Sequence, residues 1–246
     1  MKKEARTSLA VVLTSFLSTL FSCHYAHSQD HQIKTLNLIV SYPVVGGKGD
    51  LTLLPDTIPI IYAERYIIYK LPYMKVTTYD GALTSNKKQY SIFIFRKDDE
   101  SGYLINDIND SIRLEKYPVD SILFIRGFTV KWDVKNINLV ESKINRKAGT
   151  LLEKHIPNMV HDENTFDSIY YYYSYKLKNI NFSFSRQLDS IKNMKLYQIK
   201  LKYNKKYSKI NHVTFPKREF IFKIVESNVV DKKEIETAIQ IVEGLK

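Results

Sequence analysis

The sequence is short of cysteine, of long apolar runs and of catalytic signatures. Cys23 is the only cysteine in 246 residues, so no disulfide can form within the chain and stability must come from a packed core. The longest apolar run, Leu9–Phe21, covers about thirteen residues; a membrane-spanning helix needs roughly twenty. A Gly-x-Ser-x-Gly elbow is missing, which leaves nucleophilic serine chemistry without its usual carrier. Gly46-Gly47-Lys48-Gly49 is not a phosphate loop, because no Ser or Thr follows Lys48 and Tyr42 stands where the first Walker glycine belongs. Asp107, Asn109 and Asp110 are oxygen donors, yet counting from Asp107 places Ile112 and Pro118 where a calcium loop needs Gly and Glu. His155, His161, Asp162 and Glu163 offer metal-ligand chemistry, but Pro157 interrupts them and the histidine spacing does not align both rings on one helical face. They read as a polar loop, and no cofactor is implied. No low-complexity linker and no fixed-period repeat divide the chain.

What is present begins with an export signal. Lys2, Lys3 and Arg6 precede the apolar run, and Ala26-His27-Ser28-Gln29 follows it. Small residues at 26 and 28 fit a signal peptidase, so residues 1–28 are expected to be removed with the mature chain starting at Gln29. Leu20-Phe21-Ser22-Cys23 offers a competing route, lipidation of Cys23, which would tether the protein to a membrane. Either way the remainder, 29–246, is long enough for one domain with a proper core.

The formal net charge is +11. The lysines are spread along strands and turns without an Arg-rich stretch or a basic helical stripe, so they read as a solvated surface rather than a nucleic-acid site.

Period-two alternation runs through most of the chain. Leu36, Leu38, Val40 and Tyr42 share one strand face. Ile169, Tyr171, Tyr173, Tyr175 and Leu177 share another, as do Tyr197, Ile199, Leu201 and Tyr203. Ile122–Val134 reads as a further strand, with Phe124, Phe128, Val130 and Trp132 on one face. Arg126 falls on that apolar face too, where a bulge at Gly127 would turn it outward. Ile60–Leu71, Met74–Tyr79, Tyr90–Arg96 and Glu219–Val225 are rich in β-branched and aromatic residues. Short connections such as Asp80-Gly81 and Asp98–Gly102 argue for antiparallel pairing, since parallel strands need long crossovers. The spacing predicts helices at 231–244, capped by Asp231 with an Ile235, Ala238, Ile239, Val242 stripe, and over Arg186–Met194. Asn138–His155 carries a loose helical pattern. The expected fold is mainly β: an antiparallel curved sheet or open barrel with a C-terminal amphipathic helix.

The chain holds 18 tyrosines, four of them consecutive at Tyr170–Tyr173. Such rings pack between strands, stack on sugars or line an apolar cavity. Tyr171, Tyr173, Tyr175, Trp132 and Arg126 are therefore the candidate ligand-binding residues, for an apolar or glycan ligand. No pair of acids stands out for hydrolysis.

The signal peptide cut before Gln29 and the Tyr-, Lys-, Asn- and Ile-rich body resemble exported proteins of Bacteroidota. The strand Tyr90–Arg96, Tyr103–Asp107 and Tyr117-Pro118-Val119-Asp120-Ser121 resemble the GLPGLI family, although its defining Gly-Leu-Pro-Gly-Leu-Ile string is absent. The resemblance implies an exported, mostly β protein of the cell envelope and no catalytic residues. The expected function is a non-enzymatic binding or structural module; the alternative is a hydrolase of envelope polysaccharide or another polymer.

Overall fold

A computed structural model describes residues 34–46, 50–79, 82–106, 114–129, 136–158, 165–208, 212–228 and 231–244. Outside these lie the signal segment with Cys23, Gly47–Gly49, the Asp107 cluster, Trp132, and His161 with its two acidic neighbours.

Eleven antiparallel strands form one sheet in the order β6-β5-β4-β3-β2-β1-β13-β10-β9-β8-β7, and the sheet does not close. From β1 (Lys34–Val45) the chain meanders outward through β2 (Leu51–Ala63), β3 (Tyr66–Tyr79), β4 (Ala82–Arg96), β5 (Ser101–Ile105) and β6 (Leu114–Pro118). It then crosses to the far edge and meanders back through β7 (Ile137–Asn145), β8 (Thr150–Pro157), β9 (Ser168–Ser174) and β10 (Lys195–Tyr203). A small hairpin, β11 (Lys206–Ser208) with β12 (Val213–Phe215), precedes β13 (Arg218–Ser227), which pairs with β1 and joins the two wings. The expected antiparallel architecture is what forms.

Both faces of the sheet carry cores. The larger core gathers Leu38, Ile60, Tyr69, Phe93, Leu104, Tyr171, Leu196 and Phe222, contributed by strands of both wings. A flat sheet would keep β3 and β9 roughly 24 Å apart, at ~4.8 Å for each of five strand spacings. The segment 175–194, which links β9 to β10, nevertheless reaches Tyr69 of β3, with the Phe182 and Tyr69 rings 6.4 Å apart. One body thus contacts both wings, so this face curves around it.

The opposite face is covered by α3 (Lys232–Glu243), whose Ile235, Ala238 and Val242 are buried on Ile61, Ile68, Ile92 and Ile94. Each large side chain so buried contributes about 1.5–3 kcal/mol. The helix starts where the sequence places it, with the Asp231 carboxylate accepting from the Glu234 N–H at 3.2 Å. Glu234 pairs with Lys70 of β3, and Glu243 with Arg65 of the β2–β3 turn at 2.5 Å, fixing both ends of the helix to this hairpin. A second predicted helix also forms, α2 (Arg186–Lys192), capped by Ser185 and ended by Asn193 in the left-handed conformation.

Three expectations are corrected. The segment read as a strand over Ile122–Val134 begins instead as a short helix, α1 (Ile122–Ile125). Gly127, taken for a bulge, has φ +75° and closes a Schellman motif: Gly127 N–H donates to Phe124 at 3.0 Å and Phe128 N–H to Leu123 at 2.7 Å. The apolar alternation of these residues therefore records a helix end folding back, with Ile122 and Phe128 buried together in the larger core. The 138–155 stretch is no helix but the β7–β8 hairpin, turned at Gly149 with φ +66°. Tyr197 leaves the core face because the ladder slips between Leu196 and Gln198; Leu196 is buried instead, and Tyr197 meets Tyr172 on the other side.

The Schellman assignment is checkable. No atom lies within 4 Å of the position a Gly127 Cβ would take, so Gly127→Ala meets only the backbone cost of positive φ, about 1–2 kcal/mol. A chemical-denaturation midpoint should fall accordingly; an unchanged midpoint would contradict the motif.

Candidate functional site

The period-two register of β8 places Leu151, Glu153 and His155 on the curved core face. There they stand opposite Tyr173, Tyr171 and Ile169 of β9. A carboxylate and an imidazole are thus carried into an aromatic face, where an unpaired charge would be costly. Glu153, only 3% exposed, accepts from Lys192 Nζ at 2.5 Å on one oxygen and faces His155 Nε2 at 3.3 Å on the other. Lys192 comes from the last turn of α2, so the helix is anchored to β8 by this pair.

Asp189, on the same helix, is a second hub. One of its oxygens accepts from Ser183 Oγ and Lys195 Nζ, both at 2.7 Å; the other accepts from the Leu196 N–H at 2.7 Å. Lys195 departs from the solvated reading of the lysines: its side chain is 8% exposed. Its position at the start of β10, beneath α2, leaves it Asp189 as counter-charge.

Tyr173 is wholly buried, and its hydroxyl has no hydrogen-bond partner among the described residues. Burial pushes its phenol far above the ordinary value, and the nearby Glu153, Tyr171 and Asp189 push in the same direction. It stays protonated across the working range. Burial also lowers the His155 imidazole below its usual value, with Lys192 adding to the effect and Glu153 opposing it. Neutral His155 beside an acceptor-only carboxylate holds its proton on Nε2. Its ring packs 5.0 Å from that of Tyr171.

The arrangement joins an imidazole, two carboxylates and two ammonium groups through short contacts. Each carboxylate is matched by a lysine, and both Glu153 oxygens are engaged. Its chemistry is that of a polar staple fixing segment 175–194 over the aromatic face. Among the described residues no group of three or more His, Cys, Asp or Glu could hold a metal ion.

The sequence-based candidates separate. Tyr171 and Tyr173 lie within the larger core, against the staple. Tyr175 follows the end of β9 and is 58% exposed. Arg126 caps α1, points outward and donates to Asn106 Oδ1 at 3.4 Å, well away from the tyrosines in sequence and element. Trp132 lies outside the described residues. Glu153, Asp189, Lys192 and Lys195 were not singled out from the sequence. The Leu151, Glu153, His155 alternation was the one available signal, and it was hidden by the loose helical pattern of the region and by reading His155 as part of a loop.

Two expected outcomes follow from this chemistry. Tyr173→Phe removes a buried hydroxyl that makes no bond and should stabilise the protein by about 1 kcal/mol; thermal unfolding of the variant measures it, and a loss of stability would show that the hydroxyl is engaged. For His155, the folded-state value lies below the unfolded one, so the unfolded chain takes up a proton first. Its contribution to stability is present above the usual histidine value near 6.5 and is lost as pH falls through and below it. Melting curves from pH 7.5 to 5.5 should show a decline that His155→Asn flattens.

Compared with protein-family models and with curated proteins, the chain matches none.

Proposed function

We propose that the protein is an exported cell-envelope binding module, non-enzymatic, that takes an apolar ligand between the curved aromatic face and segment 175–194. The observation that carries this reading is the character of that cover. It lies over an aromatic face, yet α2 buries no residue fully and Phe182 is the cover's one fully buried apolar anchor, with Ile180, Phe184 and Leu188 half-buried. Met194 is likewise half-buried, and Asp189 and Lys192 add polar attachment. A segment with one fully buried apolar anchor, its other apolar contacts partly open, opens at lower cost than the strands beneath it. Opening would expose Tyr69, Tyr171, Tyr173 and Phe93, an apolar surface suited to an acyl chain or similar ligand. A glycan is less well supported, because the tyrosines it would stack on are covered.

Export rests on the N-terminal signal, and the resemblance to exported β proteins supports the same compartment. Intact mass of the chain from its native host tests it: a start at Gln29, or a diacylglycerol on Cys23, supports export, and a retained Met1 contradicts it. Ligand binding is tested by titrating a dansylated fatty acid; saturable 1:1 uptake supports the reading, and its absence removes it.

The His155–Glu153 pair favours a second reading, a hydrolase of envelope polymer, in which neutral His155 acts as the general base. Release of reducing ends from peptidoglycan or polysaccharide that His155→Asn abolishes would establish it over the binding role.

A further inference from the structure

Strand β7 ends the sheet, and among the described residues it pairs only with β8. It is nine residues long and nearly all its side chains are exposed, with Ile144 the most open at 70%. Leu139 and Val140 are exposed as well. An edge of this kind is a template for another strand. It is only partly blunted: the ladder slips between Leu139 and Glu141, and a turn begins after Asn145. Val140 is the unpaired residue of the slip; beyond it runs a regular five-residue segment, Glu141 to Asn145, in which Glu141 and Lys143 form an ion pair at 2.5 Å.

The pattern of this segment is self-complementary in one register. Antiparallel pairing of two identical edges requires that the outward N–H and C=O groups meet, so opposed residues have the same parity and the two-fold axis passes through a residue. An axis at Glu141 sets that carboxylate against its own copy. An axis at Lys143 does the same with two ammonium groups. An axis at Ser142 sets Glu141 opposite the partner's Lys143 and Lys143 opposite the partner's Glu141. Opposite charges are a favourable cross-strand combination, and like charges directly opposed are unfavourable.

We propose that two copies of this chain associate through β7, antiparallel about a two-fold axis at Ser142, so that the sheet continues across the dimer. The juxtaposition that carries it is the exposed edge beyond the slip, with Glu141 and Lys143 placed symmetrically about Ser142. So short a ladder is a small contact, and the dimer belongs to the weak, reversible class, with a dissociation constant in the roughly micromolar range. The inference rests on the edge alone and is independent of the ligand reading.

Sedimentation equilibrium of the purified chain from about 1 to 200 μM, spanning that affinity range, tests it. The wild type should show a monomer–dimer equilibrium. Glu141→Lys and Lys143→Glu each set like charges opposite one another and should each weaken the dimer at least about tenfold. Mixed in equal amounts, the two variants should recover wild-type association, because every opposed pair in the heterodimer again joins unlike charges. Both side chains are exposed, and circular dichroism checks that each variant is folded; should either fail, Glu141→Gln and Lys143→Gln replace them, each then expected to weaken the dimer by a smaller factor. A wild type that stays monomeric throughout, single variants that associate unchanged, or a mixture that fails to recover would each overturn the proposal.

Discussion

Asp189→Ala is expected to cost about 3–5 kcal/mol, the range for removing one partner of a buried ion pair. Three donors lose their acceptor at once: Lys195 Nζ, Ser183 Oγ and the Leu196 N–H. Lys195 cannot relax into water without moving β10 or α2, because its side chain is nearly covered. For a domain of this size the melting temperature should drop by roughly 10 °C. Asp189→Asn retains an acceptor for the Leu196 N–H and should cost less than Ala. Replacing both partners, as Asp189→Leu with Lys195→Met, should also cost less than the single change, since no charge is left buried alone. A single Ala variant that melts with the wild type would show that the two residues are solvated and that the staple does not exist.

Phe182→Ala is the second large effect, and it has two signs. Phe182 is buried against Tyr69 and stacks edge-on with Phe184 at 5.2 Å. Truncation removes the one fully buried apolar anchor of segment 175–194 and leaves a void, at a cost of about 3 kcal/mol. The same change weakens the docking of the cover. If the ligand must wait for the cover to open, apparent affinity is reduced by the fraction of molecules already open. The variant should therefore be less stable than the wild type and yet bind an apolar probe more tightly.

The sheet was largely legible in the chain because its signal is local. Leu36, Leu38 and Val40 recur at every second position on one strand face, and each is buried. The C-terminal helix was legible for the same reason, through Asp231 and a 3.6-residue stripe. Two of the corrections arise where one residue changes the meaning of its neighbours. Gly127 permits both a bulge and a Schellman end, and only the hydrogen bonds of Phe128 and Leu123 decide between them. A one-residue slip at Tyr197 exchanges which side chain faces the core.

The candidate site was less legible, because its members meet through pairing that sequence spacing does not encode. Glu153 and Lys192 are brought together by the register of β8 on β9 and by the return of the chain through α2. Lys195 looks like any surface lysine until β10 and α2 are packed. Tyr171 and Tyr173 were singled out for their rings, and the structure buries them in the larger core rather than at an open surface.

The central claim is that the cover, segment 175–194, gates an apolar site on the curved face. Titration of a dansylated fatty acid into the wild type and into Phe182→Ala, side by side and well below either melting transition, tests it most directly. The account predicts saturable binding to both, with the variant tighter by roughly tenfold. Probe bound equally or more weakly by Phe182→Ala, or by neither protein, would contradict it.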